Sequence, residues 1–418
     1  MDDVIGSMGQ SSSARASGPR NHVSDLRGAS RLAINATTEL AALVEAMHVG
    51  IARMPVKLGG PLIEGAVNGI SWLVYRSIHG VTRTVGAGID GVLAPLVPML
   101  GHMDSSPARE AVIAALNGVL GDHLIATENP LAIRMQWRKD GAPLELSREG
   151  LAKAFPTATS KLVVLVHGLC MNDLQWTRRH HNHGVALARD LGYTPVYLHY
   201  NSGHHVSTNG RALTAMLDTL VGAWPVPVEE LAIVAHSMGG LVARSAHHYG
   251  TVAGHAWPRR LRKLVFLGTP HHGAPLERGG HWLQQLVQQV PYVAPLAHLG
   301  RIRSAGITDL RHGNLLDEDW RGRDRFAHGE DARRPVRLPK GTDCFAIGAT
   351  TAPAPTDRRG RLVGDGLVPL ASALGRHRDP QFTLPLPEPH QWIACDTSHF
   401  DLLSRLEVYE RIHGWLAR

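Results

Sequence analysis

The sequence predicts an α/β architecture, a mostly parallel central sheet with helices on both faces, preceded by an N-terminal helical region and interrupted by a cap-like insertion. Two observations carry this prediction. Short apolar runs at Leu162–Val166, Pro195–Leu198, Leu231–Ala235, Leu264–Leu267 and Cys344–Ile347 have the composition of strands buried on both faces. Segments of helical length separate most of them, and that alternation builds a parallel sheet rather than a sandwich. The 418-residue chain has room for one large domain with an elaboration, or for two to three domains. With 44% hydrophobic and 19% charged residues it can bury a sizeable core.

Residues 1–27, rich in Ser, Gly and Arg, read as a flexible tail. Asp2, Asp3 and the lack of an apolar run there give no recognisable signal peptide, so a cytoplasmic or peripherally membrane-associated location is expected. Residues 28–125 read as a helical region. Ile63, Val67, Ile70 and Val74, then Ile78, Val81, Val85 and Ile89, repeat at the spacing of one helix face. Gly65, Gly69, Gly86, Gly88 and Gly91 would let such helices approach one another, or a membrane, closely.

Residues 126–418 read as the α/β domain. It opens on a hairpin in which Ile133–Arg138 alternate, Lys139-Asp140-Gly141 turn, and Pro143–Leu146 alternate again. The insertion at about 274–339 is long for a compact domain, which points to a lid.

Composition narrows the function classes. The net charge of +7 is spread over single or paired basic residues, so nucleic acid is not an expected partner. The longest charge-free stretch, Gly279–Gly300, carries glutamines, histidines and prolines and does not read as a membrane span. Three cysteines, an odd number, argue against a disulfide framework but leave a Cys344–Cys395 bridge open. His183 and the histidine pairs at 180–181, 204–205, 247–248 and 271–272 match no standard metal spacing, and no cofactor is expected.

The strongest chemical signal is Leu231-Ala232-Ile233-Val234-Ala235-His236-Ser237-Met238-Gly239-Gly240. A buried strand runs directly into a helix with Ser237 at the turn. Such an elbow lifts the hydroxyl above the sheet edge and demands small residues two positions before and after, here Ala235 and Gly239. The bland alternative is an ordinary helix cap. Upstream, Val166-His167-Gly168-Leu169 ends the first core strand in a turn. Acyl transfer needs two backbone N–H groups aimed at a developing oxyanion, and Leu169 and Met238 are the candidates. Cys170 lacks an elbow and reads as a packing residue. The loop Tyr200–His205 is expected to border the same site.

With Gly268-Thr269-Pro270-His271-His272-Gly273 and Gly364-Asp365-Gly366-Leu367-Val368-Pro369 added, the chain resembles the α/β-hydrolase superfamily, specifically its triacylglycerol lipase and carboxylesterase branch. The matching pieces lie between about Leu131 and Arg418. The departure is Ala235, where the usual G-x-S-x-G pattern has glycine. The resemblance implies that Asp365 is the catalytic acid, ahead of Asp343, Asp357 and Asp396, and that the catalytic histidine follows it. Among His377, His390, His399 and His413, His399 lies just before the last helix and matches best. A serine ester hydrolase acting through Ser237, Asp365 and His399 on an apolar acyl ester is therefore expected. Polyester depolymerase, thioesterase or acyltransferase chemistry on the same residues is the alternative, and a non-catalytic hydrolase-like membrane or binding protein is the second. Asp401 stands where some bacterial lipases hold calcium, so calcium is the one cofactor the resemblance would admit.

Overall fold

The structure, a computed structural model, describes residues 107–274, 304–324, 331–354 and 364–418. The tail at 1–27, most of the helical region at 28–125 and part of the insertion at 274–339 lie outside the described residues, as does Asp357.

Eight strands form one sheet: β1 (Gln136–Lys139), β2 (Ala142–Pro143), β3 (Lys161–Val166), β4 (Thr194–His199), β5 (Glu230–His236), β6 (Leu261–Leu267), β7 (Asp343–Ala349) and β8 (Gln391–Ala394). Their order is β2-β1-β4-β3-β5-β6-β7-β8. Strand β1 runs antiparallel to both its neighbours, β2 and β4, and β3 to β8 are parallel throughout. The interior strands read Lys-Leu-Val-Val-Leu-Val in β3 and Glu-Leu-Ala-Ile-Val-Ala-His in β5, and all but their first residues are buried. Burial on both faces explains why they show continuous apolar runs instead of alternation.

The described helices are α1 (Pro107–Ala126), α2 (Arg148–Ala154), α3 (His183–Leu191), α4 (Val206–Ala223), α5 (Met238–Val252), α6 (Ala305–Asp309), α7 (Asp317–Trp320), α8 (Leu370–Ala373) and α9 (Leu406–Leu416). Strand β3 is followed in sequence by β4 on one side, whereas β5 lies on its other side and leads on to β6. The chain thus leaves the carboxyl ends of β3 and β5 in opposite directions. Such a switch point opens a crevice, and it is where ligands bind in open α/β sheets. This order and the mostly parallel sheet make the fold an α/β-hydrolase fold.

Helix α1 is buried along nearly its whole length, with Ala115, Leu116 and Leu124 in the same apolar cluster as β3, β4 and β5. Its polar anchor is Asn117. The side-chain amide donates to the carbonyls of Ile113 at 2.9 Å and Leu131 at 2.8 Å, and its oxygen accepts from the Ile133 N–H at 2.8 Å. Ile133 therefore anchors the approach to β1 instead of extending the hairpin, whose strands are shorter than the alternation suggested. The three cysteines are free thiols, so Cys344 and Cys395 are not bridged. No helix among the described residues is long and apolar enough to cross a membrane.

Replacing Asn117 by Ala leaves the Leu131 carbonyl and the Ile133 N–H buried without partners. The Asn117→Ala variant should lose about 2–3 kcal/mol of unfolding free energy in a urea titration. An unchanged midpoint would show that α1 is not held by this side chain.

Candidate active site

Ser237 sits between the end of β5 and the first residue of α5, with φ 54° and ψ −129°. That backbone conformation is one L-residues rarely adopt, at a cost of order 1–3 kcal/mol. The surroundings enforce it. The Ser237 N–H donates to the Leu267 carbonyl at 2.8 Å. A Cβ at Gly239 would stand 2.4 Å from the Val166 carbonyl oxygen, so α5 can start this close to β3 only with glycine there. Ala235, with no exposed surface, supplies the small residue on the other side.

Asp365 and His399 come together from two different loops. His399 Nδ1 lies 2.7 Å from Asp365 Oδ2, and the His399 N–H donates to the Asp365 carbonyl at 3.1 Å. The other carboxylate oxygen accepts from the N–H groups of Leu367 at 3.0 Å and Val368 at 2.8 Å. Both side chains are almost fully buried. A carboxylate only accepts, so Nδ1 carries the proton and Nε2 presents its lone pair. Gly268, at φ +58°, lets the β6 end pass beside this pair, since a Cβ would come within 3.1 Å of both Asp365 Oδ2 and His399 Cε1. Of the rival histidines, His390 packs against Phe345, His377 contacts Phe382, and His413 lies within α9.

Ser237 and His399 line one narrow cleft, of about 40 Å³, walled by Leu169, Met171, Pro270, Leu310, Leu367 and Phe400. Leu169 reaches this cleft from the turn after β3, and Met238 opens α5. Ala274, at the end of the loop after β6, and Leu310, just after α6, both line it. Leu310, Pro270 and Phe400 are cleft residues that motif reading missed, because apolar wall residues carry no local signature.

The expected border loop is placed differently. None of residues 200–205 lines the cleft; the loop instead props the turn after β3 from behind. Tyr200 stacks on the His167 ring at 4.3 Å and donates to the His167 carbonyl at 2.8 Å, while the Ser202 hydroxyl accepts from the Cys170 N–H at 3.0 Å. Cys170 itself is buried beside α1, and burial pushes its thiol up to about 12, which keeps it protonated.

Below that turn runs a buried polar chain. Arg138 Nη1 donates to Glu110 at 2.9 Å and Asp173 at 3.2 Å, and Asp173 stands 3.1 Å from His199 Nδ1. Burial pushes the Asp173 carboxyl upward, but His199 and Arg138 outweigh it and hold the group below its ordinary range. Asp401 is already engaged, by Arg179 at 2.9 Å and the Ser398 hydroxyl at 2.6 Å. Among the described residues no three His, Cys, Asp or Glu side chains gather as a metal-binding group.

Residues 157–333 match a family described as a PGAP1-like alpha/beta domain. Solved structures similar to the chain include the mature Bacillus licheniformis lipase BlEst2, at 19% identity and TM-score 0.40, covering 68% of this chain and 98% of that one. Aspergillus fumigatus lipase B is similar at 11% identity and TM-score 0.38, covering 65% of this chain and 54% of that one. The Pyrococcus furiosus esterase Pf2001 is similar at 14% identity and TM-score 0.36, covering 63% and 82%. No curated protein matches the chain.

Several histidines near the cleft are neutral because they are buried. Burial brings His167 down to about 3 and His183 to about 4, and it carries His236, 4.6 Å from the His399 ring, well below its ordinary value. In the unfolded chain each would take a proton near pH 6.5. Their contribution to stability is complete above pH 6.5 and is lost as the pH falls toward the folded values near 4 and 3. The urea midpoint should therefore drop steeply from about pH 6.5 to 4, and His183→Gln should flatten that slope. A midpoint flat across this window would contradict the neutral buried histidines.

Proposed function

We propose that the protein is a serine carboxylic ester hydrolase. The observation that carries this reading is the strained Ser237, on a cleft shared with a His399 whose Nδ1 faces the buried Asp365 at 2.7 Å. In the proposed cycle, His399 Nε2 takes the Ser237 hydroxyl proton as the oxygen attacks the ester carbonyl. The carbonyl electron pair moves onto oxygen, where the N–H groups of Leu169 and Met238 stabilise it. Asp365 holds the ring tautomer and offsets the imidazolium charge. Collapse breaks the ester C–O bond, His399 returns the proton to the leaving alcohol, and the acyl group stays on Ser237. Water, deprotonated by His399, then attacks the acyl carbon, the bond to Ser237 Oγ breaks as His399 returns the proton to that oxygen, and the acid is released.

Apolar walls such as Leu310, Leu367 and Phe400 favour an ester with an apolar acyl chain. Thioesters, polyesters or an acyl acceptor other than water are accommodated by the same steps. A non-catalytic protein would have no use for the strain at Ser237 or for a buried carboxylate holding one imidazole nitrogen.

Hydrolysis of p-nitrophenyl esters from acetate to palmitate tests the reading. Ser237→Ala should lower kcat by at least about 10³-fold and abolish fluorophosphonate labelling, and Asp365→Asn should cost about 10⁴-fold. A folded wild-type protein that neither turns over any ester nor takes the probe would refute the proposal. Activity surviving in Ser237→Ala would refute the assignment of the nucleophile.

A further inference from the structure

A second and larger cavity, of about 340 Å³, lies beyond the cleft, and the proposed reaction has no use for it. Five segments far apart in sequence build it: Arg244 on α5, His271 and His272 on the loop after β6, Gly313, Leu315 and Asp319 before and within α7, Arg333–Arg337 before β7, and Pro380–Pro385 before β8. Four of its lining residues are arginines, Arg244, Arg333, Arg334 and Arg337, against one carboxylate, Asp319.

Asp319 is fully occupied. Its oxygens accept from the backbone N–H groups of Leu315, Leu316 and Arg334 at 2.8, 2.9 and 3.0 Å. Arg333 pairs with Asp331 at 2.7 Å, and Arg334 stands 3.7 Å from Glu318. Among the described residues neither Arg244 nor Arg337 has a carboxylate within 4.0 Å.

Arg244 is the anomaly. Its side chain is buried, at 4% exposure, and its Nη2 donates to the Val336 carbonyl at 2.6 Å. Its Nη1 lies 3.3 Å from His271 Nδ1. A guanidinium only donates, so Nδ1 accepts and the His271 proton resides on Nε2. Two buried donors, Arg244 Nε–H and His271 Nε2–H, then stand without an acceptor among the described residues. Burial, with the Arg333 charge second, brings Arg244 down to about 9, which still leaves it charged at neutral pH. A buried cation lacking an anion is unfavourable unless something supplies one.

We propose that this cavity binds a compact oxyanion, the phosphate or carboxylate group of a small ligand, with Arg244 as its buried anchor, His271 as a second donor and Arg337 at its side. The guanidinium fork suits two oxygens of one such group. Chloride would satisfy the charge but not the fork.

Inorganic phosphate and acetate, each compared with chloride at matched ionic strength, provide the test by thermal unfolding and calorimetry. Phosphate or acetate should raise the Tm of the full chain and bind at one site. Whichever binds more tightly identifies the ligand group. Arg244→Met should weaken that binding by roughly tenfold or more, as expected for losing a charged hydrogen bond, and its Tm in chloride should fall, because the buried Val336 carbonyl loses its donor. Gln381→Glu, at an exposed lining residue, should weaken binding comparably by charge repulsion without touching the interior. The absence of any oxyanion-specific shift in the parent protein would overturn the proposal. So would parent-like binding in Gln381→Glu together with either parent-like binding or misfolding in Arg244→Met.

Discussion

The feature on which the rest of the site depends is the close crossing of α5 over the end of β3. It holds the backbone of Ser237 in a conformation the residue would not choose. Three contacts share the task. The Leu267 carbonyl takes the Ser237 N–H, the Val166 carbonyl leaves room only for glycine at 239, and Ala235 keeps the strand end thin. None touches the hydroxyl. Together they determine where it stands, and the strain is sustained because β5 is paired on both sides along its buried length.

The same crossing explains why so much buried polarity lies under the turn after β3. A turn beside a strained elbow cannot shift without moving the elbow, and it has few contacts of its own on the cleft side. Tyr200, Ser202 and His167 hold it from behind. Beneath them the chain Glu110–Arg138–Asp173–His199 ties α1, β1 and β4 together. Such a network adds little net stability over an apolar core, but breaking any member leaves a buried charge exposed to its neighbours. Its role is to fix position, and helix α1 is thereby part of the α/β core.

Legibility in the sequence followed the reach of each interaction. The elbow, the turn at Val166–Leu169 and the interior strands are local, so strand burial and small-residue spacing displayed them directly. Asp365 and His399 were reachable only through resemblance, because a carboxylate and an imidazole 34 residues apart carry no spacing rule linking them. Helix α1 falls within the region expected to be helical, but its place in the α/β core is not legible, for the opposite reason. Buried along nearly its whole length, it has no polar face and gives no periodic signal at its boundary. The Tyr200–His205 loop, expected to border the site, lies behind the turn after β3 instead, since strand order fixes which end of the sheet a loop reaches and only packing fixes its depth.

Both cavities meet on residues Gly268–Ala274. Pro270 lines the apolar cleft and the adjacent His271 lines the arginine-rich cavity, so consecutive side chains face different environments. At one end Gly268 passes beside the Asp365–His399 pair. At the other, the Ser372 hydroxyl accepts from the His272 N–H at 3.0 Å and donates to the Gly273 carbonyl at 2.7 Å, clamping the loop to α8. A segment pinned at both ends has little freedom to relax around a change in the middle. On the proposed readings, an oxyanion that drew His271 toward Arg244 would act on the same short backbone that sets Pro270 against the acyl pocket. The two sites are therefore mechanically adjacent even though no side chain of the Ser237, Asp365 and His399 set enters the second cavity.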